Sequence, residues 1–182
     1  MQIEKIYTTK VWADEIFYNS QTIADVTFTA PAGTVFAAGA TILGTATVAV
    51  VSTEPHVDLI TGTVTADVEF MVQEELTAQV GAAPDPLVDF PLEYAFRFSE
   101  TLSFQKLTFP PGTTDTNLQI QVFRFTGTVT IDDIVMEEDA SEGSFTNIVN
   151  TMTKLKVTED IQAFVTLGSQ PYVQTSDVVV PD

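Results

Sequence analysis

The chain has 182 residues, 25 of them acidic and 7 basic, for a formal net charge of −18, and it contains no cysteine. A chain of this length can bury roughly 70% of its unfolded surface, so one domain can fold without disulfide or metal staples. The missing cysteines remove thiolate catalysis and thiolate metal sites. The acidity argues against nucleic acid and anionic membranes as partners, since both need clustered Lys and Arg.

MQIEKIYTTKVWADEIFYNS, the first stretch, has no basic segment leading into an apolar core, so no signal peptide is expected. It is apolar and aromatic enough to be a strand. Residues 1–20 are therefore expected to form an N-terminal strand or arm, 21–175 a single β domain, and 176–182 a C-terminal strand or tail. DVTFTAP alternates over Val26 and Phe28 before Pro31. The uncharged run from Val26 to Thr53 holds proline, glycines and many threonines, which argues against a membrane span. TGTVTADVEFMV puts Val64, Ala66, Val68, Phe70 and Val72 on one face and Thr63, Thr65, Asp67 and Glu69 on the other, the period of a half-buried strand.

LEYAFRFSE repeats that pattern, with Leu92, Tyr94, Phe96 and Phe98 on one side. QIQVFRFTGTVTI reads as a long strand with mixed faces around Phe123 and Phe125. It contains a second TGTVT, at Thr126 to Thr130, after the one at Thr61 to Thr65. Both are expected to be strand pattern, with Val64 and Val129 facing the core. The second copy meets Asp132 and Asp133, and an unbroken period would turn Asp133 inward, so a bulge or strand end is expected there. SFTNIVNTMTKL reads either as a short helix capped by Ser144 or as extended chain. LKVTEDIQAFVTL reads as two short strands or one bent strand, and SDVVVPD supplies Val178, Val179 and Val180. Turn residues at PAGT, GAAPDP, FPPGTTDTN and EEDASEGS divide these runs. The sum is an all-β fold, an antiparallel β-sandwich or barrel of seven to nine short strands with little helix.

Little in the sequence carries chemistry. The single histidine, His56, stands beside Pro55, and there is no GxSxG elbow and no phosphate-cradling glycine loop. A glycosidase needs two carboxyls at a set separation, usually among aromatic platforms, and the only tryptophan is Trp12. The densest acidic cluster is Asp132, Asp133, Glu137, Glu138, Asp139 and Glu142. Carboxylates and loop carbonyls suit calcium, but the spacing is not that of an EF-hand, and a solvated loop is the simpler reading. No cofactor is expected, with calcium the ion this loop would take.

HVDLITGTVTADVEFMV, LEYAFRFSETLSFQKLTFPPG, LQIQVFRFTGTVTI and KLKVTEDIQAFVTL, taken in order from Pro55 to Leu167, resemble the SPOCS domain of spore coat and exosporium morphogenetic proteins. The resemblance rests on the Thr61 to Phe70 strand, the Phe98–Ser99 pair and the Pro110–Pro111–Gly112 turn. No peptidoglycan-binding module accompanies it, and the acidic loop at Glu137 has the look of an insertion. The resemblance implies no catalytic residues. It implies a structural role in a layer or appendage at a spore or cell surface, reached without a signal peptide.

The expected function is thus a non-enzymatic structural subunit that assembles with copies of itself into a layer, tube or filament by adding β-strands. The strand would come from Ile6, Val11, Trp12, Ile16 and Phe17, or from Val178, Val179 and Val180. Net −18 opposes assembly, so dependence on salt or divalent cations is expected. The alternative is a carbohydrate- or protein-binding module using Trp12, Tyr18 or Tyr172, and a virion or tail structural protein is a variant of the first reading.

Overall fold

A computed structural model describes residues 2–81 and 88–167. Seven strands follow in order: β1 (Gln2–Thr29), β2 (Val35–Phe36), β3 (Leu43–Asp58), β4 (Thr63–Gly81), β5 (Val88–Ser103), β6 (Leu118–Val135) and β7 (Glu142–Leu167). They form two antiparallel sheets packed as a sandwich, not a closed barrel. In one sheet β7 is central, between β1 and β6; in the other β4 is central, between β5 and β3, with β2 pairing at its far end.

The period-two pattern decides which side of each central strand is buried. Val64, Ala66, Val68, Phe70 and Val72 of β4 are fully enclosed. Val64, Ala66, Val68 and Phe70 pack in one cluster with Leu155 and Val157 of β7, and each such apolar side chain contributes roughly 1.5–3 kcal/mol on burial. The core has two apolar halves. One gathers Phe28, Phe36, Leu76, Val80 and Phe145; the other gathers Val64, Val68, Phe70, Leu155 and Val157.

The strands are long where short ones were expected: β1 has 28 residues and β7 has 26. Bulges explain how such strands stay wrapped on one core. The register shifts at Val11/Ala13 and Ile23/Val26 in β1, at Val50/Ser52 in β3, and at Val122/Arg124 and Asp132/Val135 in β6. Each shift inserts extra chain and lets the sheet bend without a turn. SFTNIVNTMTKL is strand and not helix, because Asn147, Val149, Thr151 and Thr153 all turn inward at period two and β-branched residues suit that surface. β1 runs through the boundary expected near residue 20 without interruption and pairs with β7 from Gln2 to Thr29.

The two TGTVT runs share a pattern and differ in use. In the first, Gly62 sits at φ 73° in the turn before β4, where its N–H donates to the Asp58 carbonyl at 2.8 Å. In the second, Gly127 lies inside β6, where the Val48 side chain of β3 packs against its Cα. The missing side chain lets the two sheets approach along their β3 and β6 edges.

Candidate functional site

The features with functional potential are a projecting ribbon, two outer sheet faces of unlike charge, and a polar layer within the core. The ribbon begins where β6 stops. β6 pairs with β7 no further than Leu118 opposite Glu159, whereas β1 continues along β7 to Gln2 opposite Leu167. From Lys5 to Thr9 every residue of β1 is exposed, so this stretch of β1 is covered on neither face. A two-stranded ribbon is marginal alone in water. Its base is fixed by Trp12, the residue inserted at the first bulge. Trp12 packs edge-on against Phe109 at 5.1 Å, donates from Nε1 to Glu159 Oε2 at 2.9 Å, and carries Lys10 Nζ 3.3 Å from its ring centroid. Trp12 is therefore engaged in packing and is no open platform.

Ile6, Val11 and Ile16 are exposed on β1, whereas Phe17 turns inward and meets Phe104 edge-on at 5.3 Å. The segment expected to supply a strand thus lies in its own sheet, as an edge strand. Val178, Val179, Val180 and Tyr172 lie outside the described residues.

The outer face of the β7 sheet collects a patch that sequence reading passed over. Phe123 is the residue inserted at the Val122/Arg124 bulge, which turns Val122 and Phe125 inward and leaves Phe123 63% exposed. Lys156 Nζ stands 3.7 Å from its ring centroid and Lys154 Nζ 5.4 Å, a cation–π arrangement. Asp14 holds both amines, at 3.0 Å from Lys154 and 3.8 Å from Lys156. Arg124 lies directly opposite Lys154. Tyr18, 76% exposed, borders a shallow hollow of about 200 Å³ with Met152 and Thr126 to Thr128. No periodicity signals a bulge residue, so Phe123 was legible only as half of an ambiguous alternation.

The outer face of the β4 sheet is acidic. Glu54, Asp67, Glu69, Glu75 and Glu93 point out from β3, β4 and β5, and Glu75 lies directly opposite Glu93. Asp67 is held below the usual carboxylate range, first by the Thr101 hydroxyl and then by His56, whose Nε2 is 3.0 Å away. Arg97 sits 3.4 Å from Glu69.

Between the two apolar halves of the core lies the polar layer. Glu74 on β4 is only 2% exposed, Asn147 on β7 is fully enclosed, and Thr151 and Thr153 follow on the same inner row. Among the described residues neither carboxylate oxygen of Glu74, nor the Asn147 amide, has a hydrogen-bond partner. Burial pushes the Glu74 carboxyl up, and the nearby Asn147 offsets part of that shift. Tyr94, beside it on β5, is raised by burial and then by the Glu74 charge. Glu100 also turns inward and is raised by burial.

The acidic residues proposed for calcium are spread out. Asp132 and Asp133 lie at the bulge before β6 pairs again at Val135, Glu137 to Asp139 fall in the following turn, and Glu142 begins β7. That turn is pinned to β2 by backbone bonds from Phe36 to Ala140 and from Asp139 to Phe36. Among the described residues no three acidic or histidine side chains converge in a metal-holding group. No helix among them is long and apolar enough to cross a membrane. No family model, no curated protein and no solved structure matches this chain.

Proposed function

We propose that the protein is a non-enzymatic structural subunit that self-associates by β-strand addition into a layer, tube or filament. The observation that carries this reading is the edge strand β1 of the β1–β7 ribbon, exposed on both its faces from Lys5 to Thr9. Monomeric proteins protect long edges with short strands, prolines, lysines, bulges or covering loops, of which β1 has two lysines and two bulges. β1 is an edge strand for 28 residues and contains no proline. Its free side offers a row of backbone donors and acceptors for another chain's strand. Placement on a spore or cell surface draws its support from the resemblance to the SPOCS domain.

Electron microscopy and sedimentation of the full chain test the reading. Polymers are expected for the native sequence, and weaker association for a chain lacking residues 2–9 that still melts cooperatively. A native chain that stays monomeric at every concentration and salt level would overturn it. Tyr18 favours one second reading, a carbohydrate-binding face, because an exposed ring beside Thr126, Thr128 and Asn150 offers both stacking and hydrogen bonding. Under that reading Tyr18→Ala abolishes glycan binding by a monodisperse protein.

A further inference from the structure

We propose that the outer face of the β7 sheet docks on the outer face of the β4 sheet of a second copy, an inference that rests on the self-association reading. The argument starts from two like-charge pairs. On one face Arg124 of β6 lies directly across from Lys154 of β7. On the other, Glu75 of β4 lies directly across from Glu93 of β5. Directly opposed residues place their Cβ atoms about 4.5–5.5 Å apart, and like charges at that range destabilise the strands that carry them. Among the described residues, neither Glu75 nor Glu93 has an ion pair, and neither does Arg124. Arg124 lacks a carboxylate and Glu75 and Glu93 lack a cation, while Lys154 already holds Asp14 at 3.0 Å.

The surroundings complement one another as well. Beside Glu75 and Glu93 the β4 sheet is hollowed by about 380 Å³, bordered by Gln73, Tyr94 and Ala95. Arg124 stands next to the bulged Phe123 on the opposite face of the molecule, so an arginine and an aromatic ring protrude together. The arginine fork can take carboxylates in bidentate fashion, and aromatic residues with arginine are the enriched composition of interface centres. Asp14 fixes the amines of Lys154 and Lys156 before docking, which lowers the entropy lost on contact. The strands that would meet, β4 with 19 residues and β6 with 18, have matched lengths. A partner for the basic patch must be acidic, and the chain itself carries 25 acidic residues against 7 basic ones. Because the two faces differ, the contact is head to tail and repeats from copy to copy into an open filament or a closed ring.

The test is charge reversal read by sedimentation velocity at about 0.1 M ionic strength, where the long-range repulsion is screened, with thermal melts as folding controls. Arg124→Glu with Lys154→Glu, and separately Glu75→Lys with Glu93→Lys, are each expected to weaken association at least tenfold. Arg124→Glu alone, at an exposed position, is expected to weaken it to a lesser degree. The chain carrying all four substitutions is expected to associate again, and so is a mixture of the two double variants. If the native chain polymerises and both double variants polymerise equally well, the face contact is wrong while self-association stands. Loss of association without recovery in the fourfold variant overturns it too. If the native chain stays monomeric, or binds polyglutamate through Arg124 without self-associating, both readings fall.

Discussion

Asp133 is where the sequence made its sharpest structural demand, and the structure meets it with a bulge. Two residues, Asp133 and Ile134, oppose one on β7, and Asp133 takes φ 48° with its N–H donating to Asp132 Oδ1 at 2.9 Å. Left-handed geometry costs most L-residues about 1–2 kcal/mol and suits glycine, so Asp133→Val should lose about that much and Asp133→Gly almost nothing in urea denaturation. Glu74 makes a second demand that alternation hid. It occupies an inward position between Val72 and Leu76, and its charge has no partner among the described residues. A carboxyl whose folded pKa is raised binds more protons folded than unfolded. Stability therefore falls as pH rises from the ordinary carboxyl value of 4.5 through the raised one, and Glu74 and Glu100 act in the same direction. Urea denaturation should find the native chain gaining stability as pH is lowered from the neutral range toward 4.5. Glu74→Leu should add about 1–4 kcal/mol at pH 7, the range seen when apolar residues replace buried charges, and should flatten that slope.

The strands are held to different extents. Along their β3 and β6 edges the sheets approach so closely that a Cβ on Gly127 would overlap Val48 Cγ1. Overpacking a filled core costs about 1–3 kcal/mol, so Gly127→Val should lower the unfolding free energy by that amount, read as a lower urea midpoint with an unchanged m-value. The ribbon is the opposite case. Its residues from Lys5 to Thr9 bury little, so deleting residues 2–9 should cost no more than about 1 kcal/mol, or roughly 2–4 °C in calorimetry. Under the proposed assembly, association and stability separate by element, with Gly127 acting in folding and the ribbon in strand addition. Reading β7 as helix or strand was ambiguous because Ile148 and Met152 also fit one helical turn. The facing row of β4 resolved it, since only an extended β7 turns Asn147, Val149, Thr151 and Thr153 together toward that sheet.

A formal charge of −18 repels copies of the whole molecule at long range, while the proposed contact is attractive at short range. Added salt shortens the Debye length to about 10 Å at 0.1 M, which removes the repulsion first and weakens close pairs less. Sedimentation across a NaCl series should show association rising toward that ionic strength and falling again near molar salt. A steady decline from the lowest salt would contradict the balance. Composition, period-two alternation and turn residues by themselves determined an antiparallel all-β fold, sandwich or barrel, the inner rows of β4 and β5, and the break at Asp133. Those properties are local, set by φ/ψ preference and by which neighbours alternate. Only the tertiary structure decided that Trp12 is packed against Phe109 and that Phe123 is turned out. It also decided that Arg124 opposes Lys154 and Glu75 opposes Glu93. The register between distant strands fixes those relations. One inserted residue changes the side of the sheet for every residue beyond it, and only the pairing of both strands over their full length shows where it goes.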